Sequence, residues 1–549
     1  MQQRSVRLTA WAAVLCASMV ATPTGQPSPA AASCDAWLLE PREVRGKRVG
    51  PTSCAAQESA LSLDGRPYAR LDVGVTGTVE GWITRTGDYQ EYLTNAPDLV
   101  FGQTADPGPL LFAVAAYERE KGAAMTIVHP ADPAAWNGKV FVTVHGRGVS
   151  FKEGNLKAWD KNLDPGDPLR DLNKYDRLML AKGYALVKTR RTSAEGLGEI
   201  IATLEDGRKV DDVAFNDSAA YVKDFTELAH NILRTRLRQA PRRTYFYGHS
   251  AGARIGRGLN YTPGLNTRRD GQVLYDALLL DDAAAGGWLP VVMKDGRDVL
   301  FTTDAEKQRF VPQLDVTHQM YNNIWPGQKP PYMSPSYLHN KRQNARLLRE
   351  KGLGAKARMY EVRSISHSGG ESLPDGRRGE IQILDMSRLM DRFIDLLDAW
   401  ADTGKAPPET RSDWAVLGDA DGDGVIEHPA LAFPDVACPL GVYYPYPNTR
   451  SGTTAFAPFT GEGLEPLDAE NVFADMNRNG IWDLRETPTQ AWQRLGLLRR
   501  GETLTREAYT SCVTQAADRL VQDGFFSPAT AAWYVEQAKT ADLAPRASR

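Results

Sequence analysis

The feature that most restricts the fold is an alternation running from about residue 140 to residue 400. Short β-branched or apolar runs at 140–144, 184–189, 244–247, 273–280, 310–317 and 356–362 are separated by stretches with helical patterning. The longest of these starts near Asp217 or Ser218 and ends before Pro241. Its apolar residues Tyr221, Phe225, Leu228, Ala229, Ile232 and Leu233 recur at spacings of three and four, which gives one buried face. Further helices are expected at 172–182, 340–351 and 381–400. Strands that alternate with helices return to the same sheet by crossovers. The pattern therefore predicts an α/β architecture, a mostly parallel sheet covered on both faces.

Within this series, Gly248-His-Ser-Ala-Gly252 sits between the run 244–247 and the helix-compatible 253–259. A serine at such a strand-to-helix turn is raised above the sheet on a tightly bent backbone. Small residues are needed around it, and the helix N-terminus favours developing negative charge. The setting marks Ser250 as a candidate nucleophile. A serine hydroxyl needs a base to take its proton. Of the histidines after Ser250 and before residue 403, His318, His339 and His367, only His367 follows a terminal strand in a flexible loop, Ser364-Ile-Ser-His-Ser-Gly-Gly370.

These motifs resemble the α/β-hydrolase superfamily. Residues 128–146 and 245–287 are similar to a group of exported bacterial α/β-hydrolase-domain proteins, through His129-Pro-Ala-Asp-Pro-Ala-Ala-Trp-Asn-Gly138, the serine turn, and Gly264-Leu-Asn-Thr-Arg-Arg-Asp-Gly271. Tyr245-Phe-Tyr-Gly-His-Ser-Ala-Gly-Ala-Arg254 and Ser366-His-Ser-Gly-Gly370 look more distantly like the serine and histidine motifs of tannases and feruloyl esterases. That family has cysteines directly before the serine and after the histidine, joined as a disulfide; His249 and Ser368 stand there in this chain.

The resemblance implies a serine, acid, histidine order along the chain. The usual place for the acid, after 310–317, carries no carboxylate. Some lipases place it at the end of the preceding strand, which implies Asp281, with Asp282 beside it and Asp315 as a further alternative. Donors for the tetrahedral oxyanion are expected from the backbone N–H of Ala251 and from Gly146 and Arg147, in the loop after 140–144.

The flanks read differently. Arg4 and Arg7 precede an apolar run to Ala21, and with the Pro-rich stretch that follows, residues 1–32 read as an export signal and spacer, cleaved after Ala21 or Ala32. The expected location is secreted, extracellular or periplasmic. Cys34, Cys54, Cys438 and Cys512 remain, and local pairing, Cys34–Cys54 and Cys438–Cys512, is expected in an oxidising compartment. Residues 33–122 read as a β-rich N-terminal extension, 123–402 as the catalytic core with a cap at 283–310, 403–413 as a linker, and 414–549 as a C-terminal segment with EF-hand-like loops.

In that last segment, Asp475, Asn477, Asn479, Ile481, Asp483 and Glu486 match a calcium loop at its ligand positions, with Gly480 at the sharp turn. A second loop offers Asp419, Asp421, Asp423, Val425 and Glu427. Its twelfth position is Ala430, so a further oxygen must come from water or from Asp435. Structural Ca2+ is expected, and no organic cofactor.

With a formal net charge of −3 and 24% charged residues, no nucleic-acid partner is expected, nor any membrane span. The expected function is hydrolysis of a carboxylic ester, aromatic or polymer-derived, through an acyl-enzyme. A peptidase or lipase uses the same triad. The alternative from another class is a non-catalytic calcium-binding or adhesion protein on a hydrolase scaffold. Oligomeric state is not legible.

Overall fold

A computed structural model of the chain describes residues 32–44, 47–83, 111–117, 123–145, 172–190, 200–204, 209–210, 218–249, 251–261, 266–282, 293–294, 297–298, 301, 303–318, 345, 348–365, 384–412, 427–443, 456–459 and 487–544. Of the stretch 1–32 expected as an export signal and spacer, only Ala32 is among these residues.

The strands in chain order are β1 (Ala32–Ser33), β2 (Arg42–Val44), β3 (Lys47–Leu63), β4 (Arg66–Ile83), β5 (Leu111–Tyr117), β6 (Ala123–Pro130), β7 (Lys139–His145), β8 (Ala185–Arg190), β9 (Ile200–Leu204), β10 (Lys209–Val210), β11 (Arg243–His249), β12 (Ala277–Asp281), β13 (Met293–Lys294), β14 (Arg297–Asp298), β15 (Gln313–His318), β16 (Ala357–Val362), β17 (Gly441–Tyr443) and β18 (Phe456–Pro458). Fourteen of them form one sheet, ordered β10-β9-β5-β4-β6-β8-β7-β11-β12-β15-β16, with β3 on the other side of β4 and β1 and β2 on β3. From β8 to β16 every pairing is parallel. β6 is antiparallel to both β8 and β4.

The N-terminal strands belong to this same sheet. Asp64 and Gly65, both at positive φ, make the tight turn between β3 and β4. Cys34–Cys54 ties the segment before β2 to β3, as the local pairing predicted. β4 serves two partners on one side, β6 through residues 68–75 and β5 through residues 78–83. Asp72 stands level, strand by strand, with Thr126, Lys188, Thr143 and Tyr247. The second half of β4, with β5 and β9, therefore extends the sheet past the level at which β11 ends.

Helices cover both faces. On one lie α2 (Ser218–Leu237) and α3 (Ala251–Tyr261), whose Phe225, Leu228, Ile232, Ala253 and Leu259 pack on Val140, Val142, Phe246, Leu278 and Leu280. On the other lie α1 (Lys174–Ala181) and α5 (Ser387–Thr403), against Tyr245, Tyr247, Leu279, Leu314 and Tyr360. The two sets alternate along each strand, as side chains of period two must. The expected long helix thus buries the predicted face, although the Tyr221 side chain is outside the description. Asn173 and Asp176 form a capping box at the start of α1, and Gly404 at φ 74 closes α5.

α5 is seated by charge as well as by apolar packing. Its Asp391, Asp395, Asp398 and Asp402 fall on one stripe and meet Lys182, Lys139, Arg242 and Arg243 projecting from the sheet side. Of the expected cap, α4 (Asp304–Arg309), capped by Thr303, is followed by Phe310, which stacks on Tyr261. The rest of 283–310 is largely outside the described residues.

After α5 the chain does not leave the body. Arg411 and Leu431 bond along the outer side of β16: Arg411 N–H to Met359, Glu361 N–H to Arg411, Leu431 N–H to Glu361 and Arg363 N–H to Leu431, all at 2.8–2.9 Å. The stretch expected as a linker, 403–413, runs into this edge. Beyond it come α6 (Pro434–Ala437), α7 (Pro488–Arg494), α8 (Arg506–Gln522) and α9 (Pro528–Thr540); Trp492 of α7, Tyr509 of α8, Tyr534 of α9 and, from the turn between α8 and α9, Phe525 and Phe526 join the core under α5. Cys438–Cys512 joins α8 to the residue after α6, again the pairing expected.

Candidate active site

β11 ends at His249 and α3 begins at Ala251, so a single residue, Ser250, separates strand from helix. Two glycines around the turn have no room for a side chain. A Cβ on Gly248 would stand 2.4 Å from the Gly252 carbonyl oxygen and 2.7 Å from the Ala253 nitrogen. One turn on, a Cβ at Gly256 would stand 2.4 Å from Leu280 and 2.7 Å from Phe246. These are the close approaches that make glycine obligatory at a nucleophile turn.

Ser250 and His367 themselves lie outside the described residues, as do Gly146 and Arg147; Ala251 is described as the first residue of α3. What is described is where the flanking chain ends. His145 pairs with His249, His249 with Asp281, and Asp281 with Val316. β7 and β11 thus end at the same level. β16 ends at Val362, and the chain turns through Ser364 at φ 57 to the fully buried Ile365, two residues before His367.

The three candidate acids have distinct environments. Asp315 lies inside β15, buried, and accepts from Arg257 of α3 through Nε at 3.0 Å, with a second contact from Nη2. It serves as the counter-charge of a buried arginine. Asp281 and Asp282 are both fully buried at the end of β12. Asp281 Oδ2 accepts from the Tyr247 hydroxyl at 2.9 Å, and its Oδ1 lies 3.0 Å from His318 Nε2. Asp282 has φ 45, a left-handed backbone uncommon outside glycine. Its Oδ1 accepts from the backbone N–H of His318 at 3.0 Å, and its Oδ2 lies 3.5 Å from His318 Nδ1.

His318 closes β15 and is fully buried. Burial opposes its charge, but Asp282 and Asp281, and the hydrogen bond to Asp281, outweigh that penalty and hold the imidazole above its ordinary range. From the sequence alone His318 is only a candidate base. The available signal was that His318 stands directly where an acid is usual.

The loop residues Asp475, Asn477, Asn479, Ile481, Asp483 and Glu486 lie outside the described residues, as do Asp419, Asp421, Asp423 and Val425; Glu427 is described and exposed. Asp435, expected as a supplementary oxygen, sits on α6 with Tyr534 as a hydrogen-bond partner, and burial raises its carboxyl above the usual range. Among the described residues no group of three His, Cys, Asp or Glu side chains could hold a metal, and no helix is long and apolar enough to cross a membrane.

Strand order, the glycine-lined turn after the central strand and the helices on both faces define the α/β-hydrolase fold, and this chain has it. No family model matches the sequence, and no curated protein does. Among solved structures the chain is similar to a poly(3-hydroxybutyrate) depolymerase from Bordetella parapertussis, at 15% identity and TM-score 0.30, covering 54% of this chain and 91% of that one. It is also similar to carboxyl esterase 2 from Tuber melanosporum, at 13% identity and TM-score 0.29, covering 57% and 98%. A Pyrobaculum calidifontis esterase aligns at 14% identity and TM-score 0.29, covering 53% and 84%. Likeness this slight says nothing about activity; the strand order is what defines the fold.

Proposed function

We propose that this protein is an exported serine hydrolase of carboxylic esters. The observation that carries the reading is the turn itself, a strand and a helix separated by Ser250 alone, with glycines at 248 and 256 that tolerate no Cβ. Ser250 Oγ gives its proton to His367 and attacks the ester carbonyl. The oxyanion takes hydrogen bonds from the N–H of Ala251 and from the 146–147 backbone. Collapse expels the alcohol with the proton from His367 and leaves an acyl-serine. Water, deprotonated by His367, then releases the acid.

The acid proposed to hold His367 comes from the end of β12. Asp315 has its charge met by Arg257, whereas Asp281 and Asp282 both face His318. Asp282 is the assignment supported here, since its left-handed backbone turns the carboxylate toward the end of β15, where an acid following that strand would stand. An aromatic or polymer-derived ester is the substrate class proposed.

Labelling by a fluorophosphonate probe, abolished by Ser250→Ala, tests the reading. A correctly folded protein that does not label would leave the non-catalytic binding protein. p-Nitrophenyl esters of increasing length beside methyl ferulate and a gallate ester sort the substrate. The loop 475–486, an all-oxygen donor set at calcium-loop spacing, would hold Ca2+ as a structural ion. EGTA should lower Tm and added Ca2+ restore it; an unchanged Tm refutes that role.

A further inference from the structure

A cavity of about 450 Å³ opens beside the starts of β15 and β16. That volume falls within the range of small-molecule sites. Its lining shares no residue with the nucleophile turn. Ala357 and Met359 of β16 give it an apolar floor, and Leu348 adds an apolar wall. The tail supplies the rest, with Glu409, Thr410 and His428 reaching it from beyond α5.

The charges around it are unequally engaged. Asp315, which also borders the cavity, is answered by the buried Arg257 of α3. Glu409 pairs with Arg358 at 2.9 Å. Arg358 is fixed in place: its Nη1 donates to the carbonyls of Gly354 and Ala357 at 3.0 and 3.1 Å, and the guanidinium lies 5.7 Å from the centre of the Trp400 ring. Its side chain is 9% exposed, whereas that of Glu409 is 68% exposed. A carboxylate so open to water contributes little through its ion pair and is readily replaced. Arg349 brings a second, exposed guanidinium to the cavity. The partly buried ring of His428 has no hydrogen-bond partner among the described residues. An ammonium entering here would find both bordering acids engaged. An entering carboxylate would find an anchored arginine whose partner is replaceable.

We propose that this cavity binds a small organic acid, its carboxylate on Arg358 and Arg349 and its apolar body against Leu348 and Met359. The carboxylate takes the place of Glu409 on Arg358, since guanidinium and carboxylate match in shape as well as charge. One ring N–H of His428 adds a further donor. The site is independent of the serine chemistry, and its test leaves that reading untouched.

The test uses the full chain carrying ¹³C in its methionine methyl groups. Met359 lines the cavity, and Met386 and Met390, fully buried at the start of α5, serve as controls. Loss of a signal in Met359→Leu identifies the reporter. 3-Phenylpropanoate should shift that signal saturably, with Kd about 1 mM for a ligand of this size, and leave the controls in place. 3-Phenylpropylamine and 3-phenylpropanol should not shift it. Glu409→Gln removes the competing carboxylate and should tighten binding about threefold; Arg349→Ala should weaken it about tenfold, the scale of one charge-assisted hydrogen bond. Both positions are exposed, and near-UV circular dichroism checks that the variants fold. Three results would each overturn the proposal. The Met359 signal could stay in place at twenty times that acid concentration, the amine could bind as well as the acid, or the two variants could fail to move affinity in opposite directions.

Discussion

Two charged clusters hold this molecule in opposite ways. At the end of β12 and β15, His318 with Asp281 and Asp282 is sealed from water, and each group has one position open to it. Along α5, Lys139 and Lys182 bridge Asp391, Asp395, Asp398 and Asp402, whose side chains are a quarter to nearly half exposed. In the ladder several partners can substitute for one another, so no single pair decides the geometry. In the sealed cluster, losing one partner strands a charge. Burial, more than the number of ion pairs, determines which cluster fixes a structure and which merely favours it.

Substitution tests that contrast most strongly at His318. His318→Leu leaves two buried carboxylates uncompensated and should cost about 3–5 kcal/mol in urea unfolding, the range for breaking a buried pair. A cost below ~1 kcal/mol would mean that the cluster is hydrated. Titration should separate the two regions next, with opposite signs. His318 has a raised folded pKa, so its contribution is complete below its ordinary 6.5 and is lost as pH rises through the folded value. The Asp402 carboxyl is pulled to about 2 by its hydrogen bond with Lys139, then by Arg242 and Arg243 against burial. Its contribution is present above the ordinary 3.8 and is lost as pH falls through about 2. Thermal melts of Asp402→Asn beside wild type should converge below pH 2, and those of His318→Gln should converge with wild type on the alkaline side.

Smaller effects sharpen the ladder. Asp402→Asn at pH 7 should cost about 1 kcal/mol, because the carboxylate is a quarter exposed and Lys139 keeps Asp398 as a partner. Least of all, 1 M NaCl should shrink that difference by a few tenths of a kcal/mol through screening and leave the His318→Leu deficit unchanged. Equal salt sensitivity in both would erase the distinction.

The parallel strands were legible because fully buried strands read as unbroken apolar runs: Leu278, Leu279 and Leu280 are all at 0% exposure. Gly248 and Gly252 were legible because a tight turn demands them. The pairings of all four cysteines followed from chain proximity. The charge cluster was not readable, since His318 and Asp281 are 37 residues apart and meet only because β12 and β15 are neighbours. The C-terminal helices escaped notice behind a composition rich in Asp, Asn, Gly and Pro, although Thr487-Pro488 and Ser527-Pro528 are good N-caps with proline at the first helical position. The 403–413 stretch looked like a tether because Pro and Gly disfavour regular structure, and single bridges to a strand edge leave no pattern in sequence.

Those bridges have a further consequence. The outermost strand of a parallel sheet normally exposes a row of amides and carbonyls onto which another polypeptide can zip. Here the outward amides of Met359, Glu361 and Arg363 are already engaged by Thr410, Arg411 and Leu431. This flank offers no template for strand-by-strand aggregation while the tail stays attached. Proteolytic clipping near residue 404 would bare both that row and the apolar underside of α5, and a chain losing its tail should become sticky before it becomes unfolded.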